Sequence, residues 1–162
     1  MIILGIDPGL ERVGFGIIEK TGSRMTAIEY GLIQTPRIAI SDRLRLIHDE
    51  IVQLIEKHQP DGIAMERLIF AANKTTAFDV AKAVGVMLYA CAENSREVAE
   101  YTPPEIKLSV VGNGAADKRQ IQFMVTKLLG LVQTPKPDDV ADALAIAITH
   151  AMRAPISARK LI

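Results

Sequence analysis

The chain has 162 residues, of which 49% are apolar, and its 19 basic side chains balance 19 acidic ones. This length and apolar content suit one globular domain with a single core, and the single cysteine excludes an internal disulfide. The zero net charge neither supports nor excludes a nucleic-acid partner, because bound divalent cations would make the protein basic.

The first part of the chain predicts three strands and a helix. Residues 2–6 form a continuous apolar run typical of a central strand, and Asp7 ends this strand before a Pro-Gly turn. Residues 13–18 and 25–33 alternate or contain glycines, which favours antiparallel neighbours. After Ser41, a candidate N-cap, apolar residues recur at helical spacing. The pattern predicts a three-stranded meander followed by a helix.

The rest of the chain predicts strands alternating with helices. A short apolar strand over residues 61–65 delivers Glu66 to its end, and residues 97–101 predict a fifth strand. Residues 75–94 predict a long helix with apolar residues on more than one face. Further helices are predicted to begin near Pro103, Asp117 and Asp139. This order predicts a mixed α/β fold of the ribonuclease H-like type, with a mixed five-stranded sheet flanked by helices.

The ends of the chain set expectations about location and domain organisation. The apolar run at residues 2–6 is shorter than a signal sequence or a membrane span, so we expect a cytoplasmic protein with no membrane partner. The sequence contains no repeat, low-complexity segment or interdomain linker. We therefore expect one domain over residues 1–155, followed by a mobile basic tail over residues 156–162.

Four acidic residues are candidate metal ligands: Asp7, Glu66, Asp139 and Asp142. The first two end strands that can be neighbours, and the last two share one helix face. Carboxylates that converge in this way repel each other without a cation, and Mg²⁺ prefers such ligands. Each acid also has a structural interpretation, as a turn former, a solvated strand end or a first-turn helix acid. We interpret Asp138 as a helix N-cap, although spacing alone does not choose between Asp138 and Asp139.

Four segments closely resemble bacterial RuvC resolvases: ILGIDPG (3–9), AME (64–66), VVG (110–112) and DVADALAIA (139–147). They occur in the family's order and spacing, and the resemblance spans residues 2–150. It implies a ribonuclease H-like homodimer that cuts Holliday junctions with two Mg²⁺ ions per subunit, for which Mn²⁺ is expected to substitute. It also implies the RuvA-RuvB branch-migration complex as a partner. The family's catalytic and metal-binding acids fall on Asp7, Glu66, Asp139 and Asp142, which makes Asp138 an extra acid.

The resemblance also implies contacts with DNA. Lys107 and Lys118 match lysines that the family uses near the scissile phosphate and the junction backbone, although a solvated surface lysine is the common alternative. The family presents an aromatic residue in the loop after the catalytic glutamate, where it stacks on unpaired bases. Ile69 occupies that place here. Phe70 is the candidate if the loop is shifted by one residue, and a core residue otherwise.

Together these features predict a structure-selective endonuclease that makes paired, symmetric nicks in four-way junctions during recombination and repair. A metal-activated water would hydrolyse the phosphodiester and leave a 3′ hydroxyl and a 5′ phosphate. A nuclease of the pre-ribosomal-RNA-processing type is an alternative that the last helix disfavours. An actin-like kinase or ATPase needs two such lobes, and an idle junction-binding module would not need four acids.

Symmetry adds an expectation about assembly. Resolving a junction requires two cuts, whereas one domain with one acidic site cuts one strand at a time, so two copies are needed. The helix over residues 75–94 has more apolar surface than one sheet face should cover, which favours a two-fold interface there. Full burial of this helix within the monomer is the alternative.

Overall fold

The computed structural model describes residues 1–68 and 74–154, with residues 74–76 described by their backbone alone. Within these ranges five strands form one sheet, and they are β1 (Ile2–Asp7), β2 (Arg12–Thr21), β3 (Arg24–Gln34), β4 (Gly62–Glu66) and β5 (Val98–Tyr101). Their order across the sheet is β3-β2-β1-β4-β5. β2 pairs antiparallel with β1 and β3, whereas β1, β4 and β5 run parallel. The predicted mixed five-stranded sheet is confirmed.

Helices cover both faces of this sheet. In the described part of the chain they are α1 (Ile40–His58), α2 (Lys74–Glu93), α3 (Pro103–Val111), α4 (Lys118–Leu128) and α5 (Asp138–Arg153). Alternate residues of β1 point to opposite faces, so that Leu4 packs in the core under α1 and α2 while Ile3 packs in the core under the other three helices. No helix in residues 1–68 or 74–154 has the length and apolar content needed to cross a membrane.

Two glycines allow α5 to lie directly against the sheet. A Cβ atom on Gly5 of β1 would lie 2.2 Å from the carbonyl oxygen of Ala143, and one on Gly14 of β2 would lie 2.0 Å from the carbonyl oxygen of Asp139. Only glycine permits so close an approach of two backbones. Because Gly14 is the cross-strand partner of Asp7, this contact brings the start of α5 next to the end of β1.

Two predicted helix caps are wrong, that of α1 by two residues and that of α5 by one. α1 begins at Ile40, because the carbonyl of Ala39 already accepts hydrogen bonds from the backbone of the first turn, so Ser41 lies inside the helix. α5 begins at Asp138, because the carbonyl of Pro137 accepts a hydrogen bond of 3.0 Å from the backbone of Val140. Asp138 is therefore a first-turn acid, where its charge interacts favourably with the helix dipole, and not the N-cap.

Candidate active site

Three elements bring the four predicted acids to one edge of the sheet. Ile6 of β1 is the lateral partner of Met65 of β4, and the two strands are parallel. Asp7 and Glu66, the next residues along, therefore leave the sheet side by side. The N-terminal turns of α5 lie across the same edge and add the acids Asp139 and Asp142.

The acids are close enough to disturb one another's ionisation. Burial raises the pKa of Asp7 to about 8, and the negative charges of Asp142, Glu66 and Asp139 act in the same direction. Burial and then the charge of Asp142 raise the pKa of Glu66. Burial also raises the pKa of Asp142, although Lys118 opposes this shift. Such crowding of like charges costs folding free energy and is typical of a site that receives a cation.

The donor atoms fit a hard divalent cation. Asp139 Oδ2 is buried and has no hydrogen-bond partner. An Arg12 nitrogen, Nη2, lies 3.3 Å from this oxygen, but the contact lacks hydrogen-bond geometry. Among the described residues, no three Asp, Glu, His or Cys side chains stand ready to hold one metal ion. To hold one cation, the carboxylates would have to rotate toward one another, and the unpartnered oxygen of Asp139 is available as a ligand.

Both predicted DNA-binding lysines lie beside the acids. A cavity of about 230 Å³ is lined in part by Glu66, Asp142, Lys107 and Lys118. Lys118 Nζ lies 2.9 Å from Asp138 Oδ2 and 3.7 Å from Asp142 Oδ2. The charge of Lys107 lowers the pKa of Glu66 and so partly offsets the effect of burial. Asp138, the extra acid of the sequence prediction, thus holds a lysine at the site.

Other predicted residues lie outside the described ranges, and one residue at the site was not predicted. Ile69, Phe70 and residues 156–162 are not among the described residues. Sequence reasoning missed Arg12, whose guanidinium approaches Asp139. The sequence could have indicated Arg12, because it begins β2, the strand that pairs with the end of β1 where Asp7 lies.

Comparison with known proteins places the chain in a family. The family model described as crossover junction endodeoxyribonuclease RuvC matches residues 3–150. The chain belongs to the RuvC family. The RuvC of Clostridioides difficile (strain 630) is 53% identical over 152 residues, which cover 93% of this chain and 90% of that protein. The RuvC of Alkaliphilus oremlandii (strain OhILAs) is 51% identical over 152 residues, covering 93% of each chain.

A solved RuvC structure has the same architecture. Thermus thermophilus RuvC in complex with a Holliday junction substrate superposes with a TM-score of 0.89 at 33% sequence identity, and the match covers 93% of both chains. This likeness confirms the predicted ribonuclease H-like fold. The RuvC family is one of crossover junction endodeoxyribonucleases, so the predicted enzyme class is confirmed as well.

Proposed function

We propose that this chain is a Holliday junction resolvase that nicks two strands of a four-way DNA junction symmetrically during homologous recombination and DNA repair. One observation carries the proposal, namely that β1, β4 and α5 of a RuvC-family chain bring Asp7, Glu66, Asp139 and Asp142 to one edge of the sheet. Glu66 and Asp142 also line one cavity together with Lys107 and Lys118, which places basic groups beside the acids.

The four acids are the proposed metal ligands and catalytic residues. Asp7 is the central ligand in this proposal, because it is the most deeply placed and its pKa responds to each of the other three acids. Glu66, Asp139 and Asp142 complete sites for two Mg²⁺ ions per subunit, and Mn²⁺ is expected to substitute because it accepts the same oxygen ligands. When bound, these ions supply an activated water and neutralise charge on the phosphate.

The lysines orient the substrate in this proposal. Lys107 and Lys118 line the cavity next to the acids, where their charges attract a backbone phosphate. Contacts of this kind give affinity and position rather than sequence selection. Asp138 keeps Lys118 at the edge of the site through their 2.9 Å ion pair. We assign base stacking to Phe70 from its place after Glu66 in the sequence, since it lies outside the described residues.

A homodimer would place two such sites on one junction. α2 buries Ala83 and Met87 in the core, yet its opposite side exposes Phe78 (65%) and Tyr89 (60%). Exposed aromatic residues on one helix face are typical of an interface, which supports the predicted use of α2 as the contact between subunits. Replacing both aromatic residues by Glu should shift the protein toward monomers in analytical ultracentrifugation. Phe123→Glu on α4, equally exposed at 59%, is the matched control and should leave the dimer intact.

The proposal extends to the domain, the location and the partners of the enzyme. We place residues 1–155 in one nuclease domain, since both cores pack on the same sheet. The enzyme would act on chromosomal DNA in the bacterial cytoplasm, together with the RuvA-RuvB complex. Co-sedimentation with RuvA-RuvB on a junction, compared with the same proteins on linear duplex, tests this partnership.

Cleavage of a synthetic junction tests the proposed function. The protein should cut a four-way junction in Mg²⁺, should leave it intact in EDTA, and should leave a linear duplex of the same sequence uncut. Asp7→Asn should bind the junction without cutting it, because binding relies on basic contacts that this variant keeps. Equal cutting of junction and duplex, or cutting by Asp7→Asn at the normal rate, would contradict the proposal.

A further inference from the structure

Arg12 lies on the side of the acidic cluster opposite to Lys107. In the sheet order, β2 carries Arg12, β1 carries Asp7 and β4 carries Glu66. Lys107 lies beyond them on α3, which follows β5. A DNA strand whose phosphate sits over the acids would therefore meet cations on both sides.

The contact of Arg12 with Asp139 is loose. The Nη2 to Oδ2 distance is 3.3 Å, the geometry is not that of a hydrogen bond, and the Arg12 side chain is 52% exposed. Within residues 1–68 and 74–154, Arg12 forms no ion pair with any other acid. A half-exposed ion pair of this kind is weak and is easily exchanged for a better partner.

A metal ion on Asp139 would remove the reason for this contact. A divalent cation bound to Oδ2 would lie close to the guanidinium, and the two positive charges would repel each other. Arg12 would then turn away from Asp139 while remaining at the rim of the site. In a substrate complex, the nearest anion to this rim would be a phosphate of the DNA backbone. The planar guanidinium is suited to bind such a phosphate through two donors.

The backbone that carries Arg12 is firmly held, so the change needs only side-chain rotation. Thr35 Oγ1 donates to the carbonyl of Leu10 at 2.6 Å, and the Thr35 backbone N–H donates to the carbonyl of Glu11 at 3.0 Å. Arg43 Nε in turn donates to Thr35 Oγ1 at 2.9 Å. These contacts fix the turn that precedes Arg12.

We propose that Arg12 exchanges partners during the reaction. It pairs with Asp139 when that carboxylate carries no metal, and it binds a backbone phosphate on the β2 side of the site once a divalent cation occupies Asp139. The inference rests on the proposed function, and it adds a metal-dependent phosphate contact to it.

The salt dependence of junction binding tests this exchange. Binding of a labelled junction is measured by fluorescence anisotropy over a range of salt concentrations, in EDTA and in Ca²⁺, and gels confirm that the junction stays intact. In Ca²⁺, which also takes carboxylate ligands, Arg12→Ala should reduce the slope of log K against log salt by about 0.9, the value for one lost phosphate contact. In EDTA the slope should equal that of the wild type. Arg12→Lys should keep the Ca²⁺ slope because it keeps the charge.

Arg24→Ala is the matched control, because Arg24 is an exposed arginine at the far end of the same β2–β3 hairpin. It should match the wild type in both buffers, and thermal melts should show that each variant is folded. If Arg12→Ala behaves like Arg24→Ala in Ca²⁺, or loses the same slope in EDTA, the exchange of partners is wrong. A wild-type protein that neither prefers nor cuts the junction in Mg²⁺ would instead overturn the proposed function.

Discussion

Asp7→Asn should make the metal-free protein more stable while it abolishes cutting. The folded-state pKa of Asp7 is about 8, against an ordinary value of 3.8, because the carboxyl is buried and faces three other acids. Since the folded pKa lies above the unfolded one, the folded protein retains a proton that the unfolded chain releases. Stability is therefore lost as the pH rises from about 4 to about 8.

The size of this loss follows from the two pKa values. Each pKa unit corresponds to about 1.4 kcal/mol, so the interval from 3.8 to pH 7 amounts to up to roughly 4 kcal/mol. Asn has nearly the same shape and no proton to lose, so it escapes this cost. At about 2–4 °C per kcal/mol for a chain of this size, the Asp7→Asn melting temperature at pH 7 should rise by an amount of the order of 10 °C.

Thermal melts at pH 5 and pH 8, in EDTA and in Mg²⁺, provide the assay. In EDTA the advantage of Asp7→Asn should grow from pH 5 to pH 8. Addition of Mg²⁺ should raise the melting temperature of the wild type and leave the variant nearly unchanged, because only the wild type retains all four proposed metal ligands. A variant that is no more stable than the wild type at pH 8 in EDTA would refute the reasoning about crowded acids.

Three further variants test other parts of the site. Glu66→Gln should lose at least a hundredfold in cleavage rate yet bind junctions normally, as measured by single-turnover kinetics and gel shift. Lys118→Ala should weaken cleavage most at low salt, where its attraction for a phosphate is least screened, and Asp138→Asn, which releases Lys118, should cost less than about tenfold. Gly14→Ala should lower the melting temperature and activity together, because its methyl group would meet the Asp139 carbonyl at 2.0 Å. Gly114→Ala, where the nearest atom is 3.5 Å away, should do neither.

Much of the fold could be predicted from local patterns. The continuous apolar run of β1 reflects a strand that is buried on both faces, and the helical spacing of apolar residues in α1 reflects burial of one helix face. The caps of α1 and α5 were misplaced because a neighbouring backbone carbonyl, rather than the Ser41 or Asp138 side chain, begins each helix. Side-chain type cannot reveal which of several neighbouring carbonyls accepts the first hydrogen bond of the helix.

The candidate site also has residues that could be predicted from the sequence and residues that could not. Strand ends could be predicted to carry Asp7 and Glu66, but helix spacing left Asp138 and Asp139 equivalent. The structure distinguishes them, since Asp139 lies over Gly14 while Asp138 pairs with Lys118. The approach of Arg12 to Asp139 joins residues that are far apart in the sequence, and it depends on how closely α5 lies on β2. No local sequence pattern predicts that Arg12 lies close to Asp139.

The central claim is that this chain resolves four-way junctions by two symmetric cuts, and religation of the cleaved junction tests it most directly. If two hydrolytic sites act symmetrically, each product duplex carries one nick with a 3′ hydroxyl and a 5′ phosphate, and DNA ligase should seal both duplexes to full length without gap filling. Strand-specific labels would place the two nicks at equivalent positions on opposite strands. Products that ligase cannot seal, or cuts at unrelated positions on the two strands, would contradict the assignment of this chain as a symmetric junction resolvase.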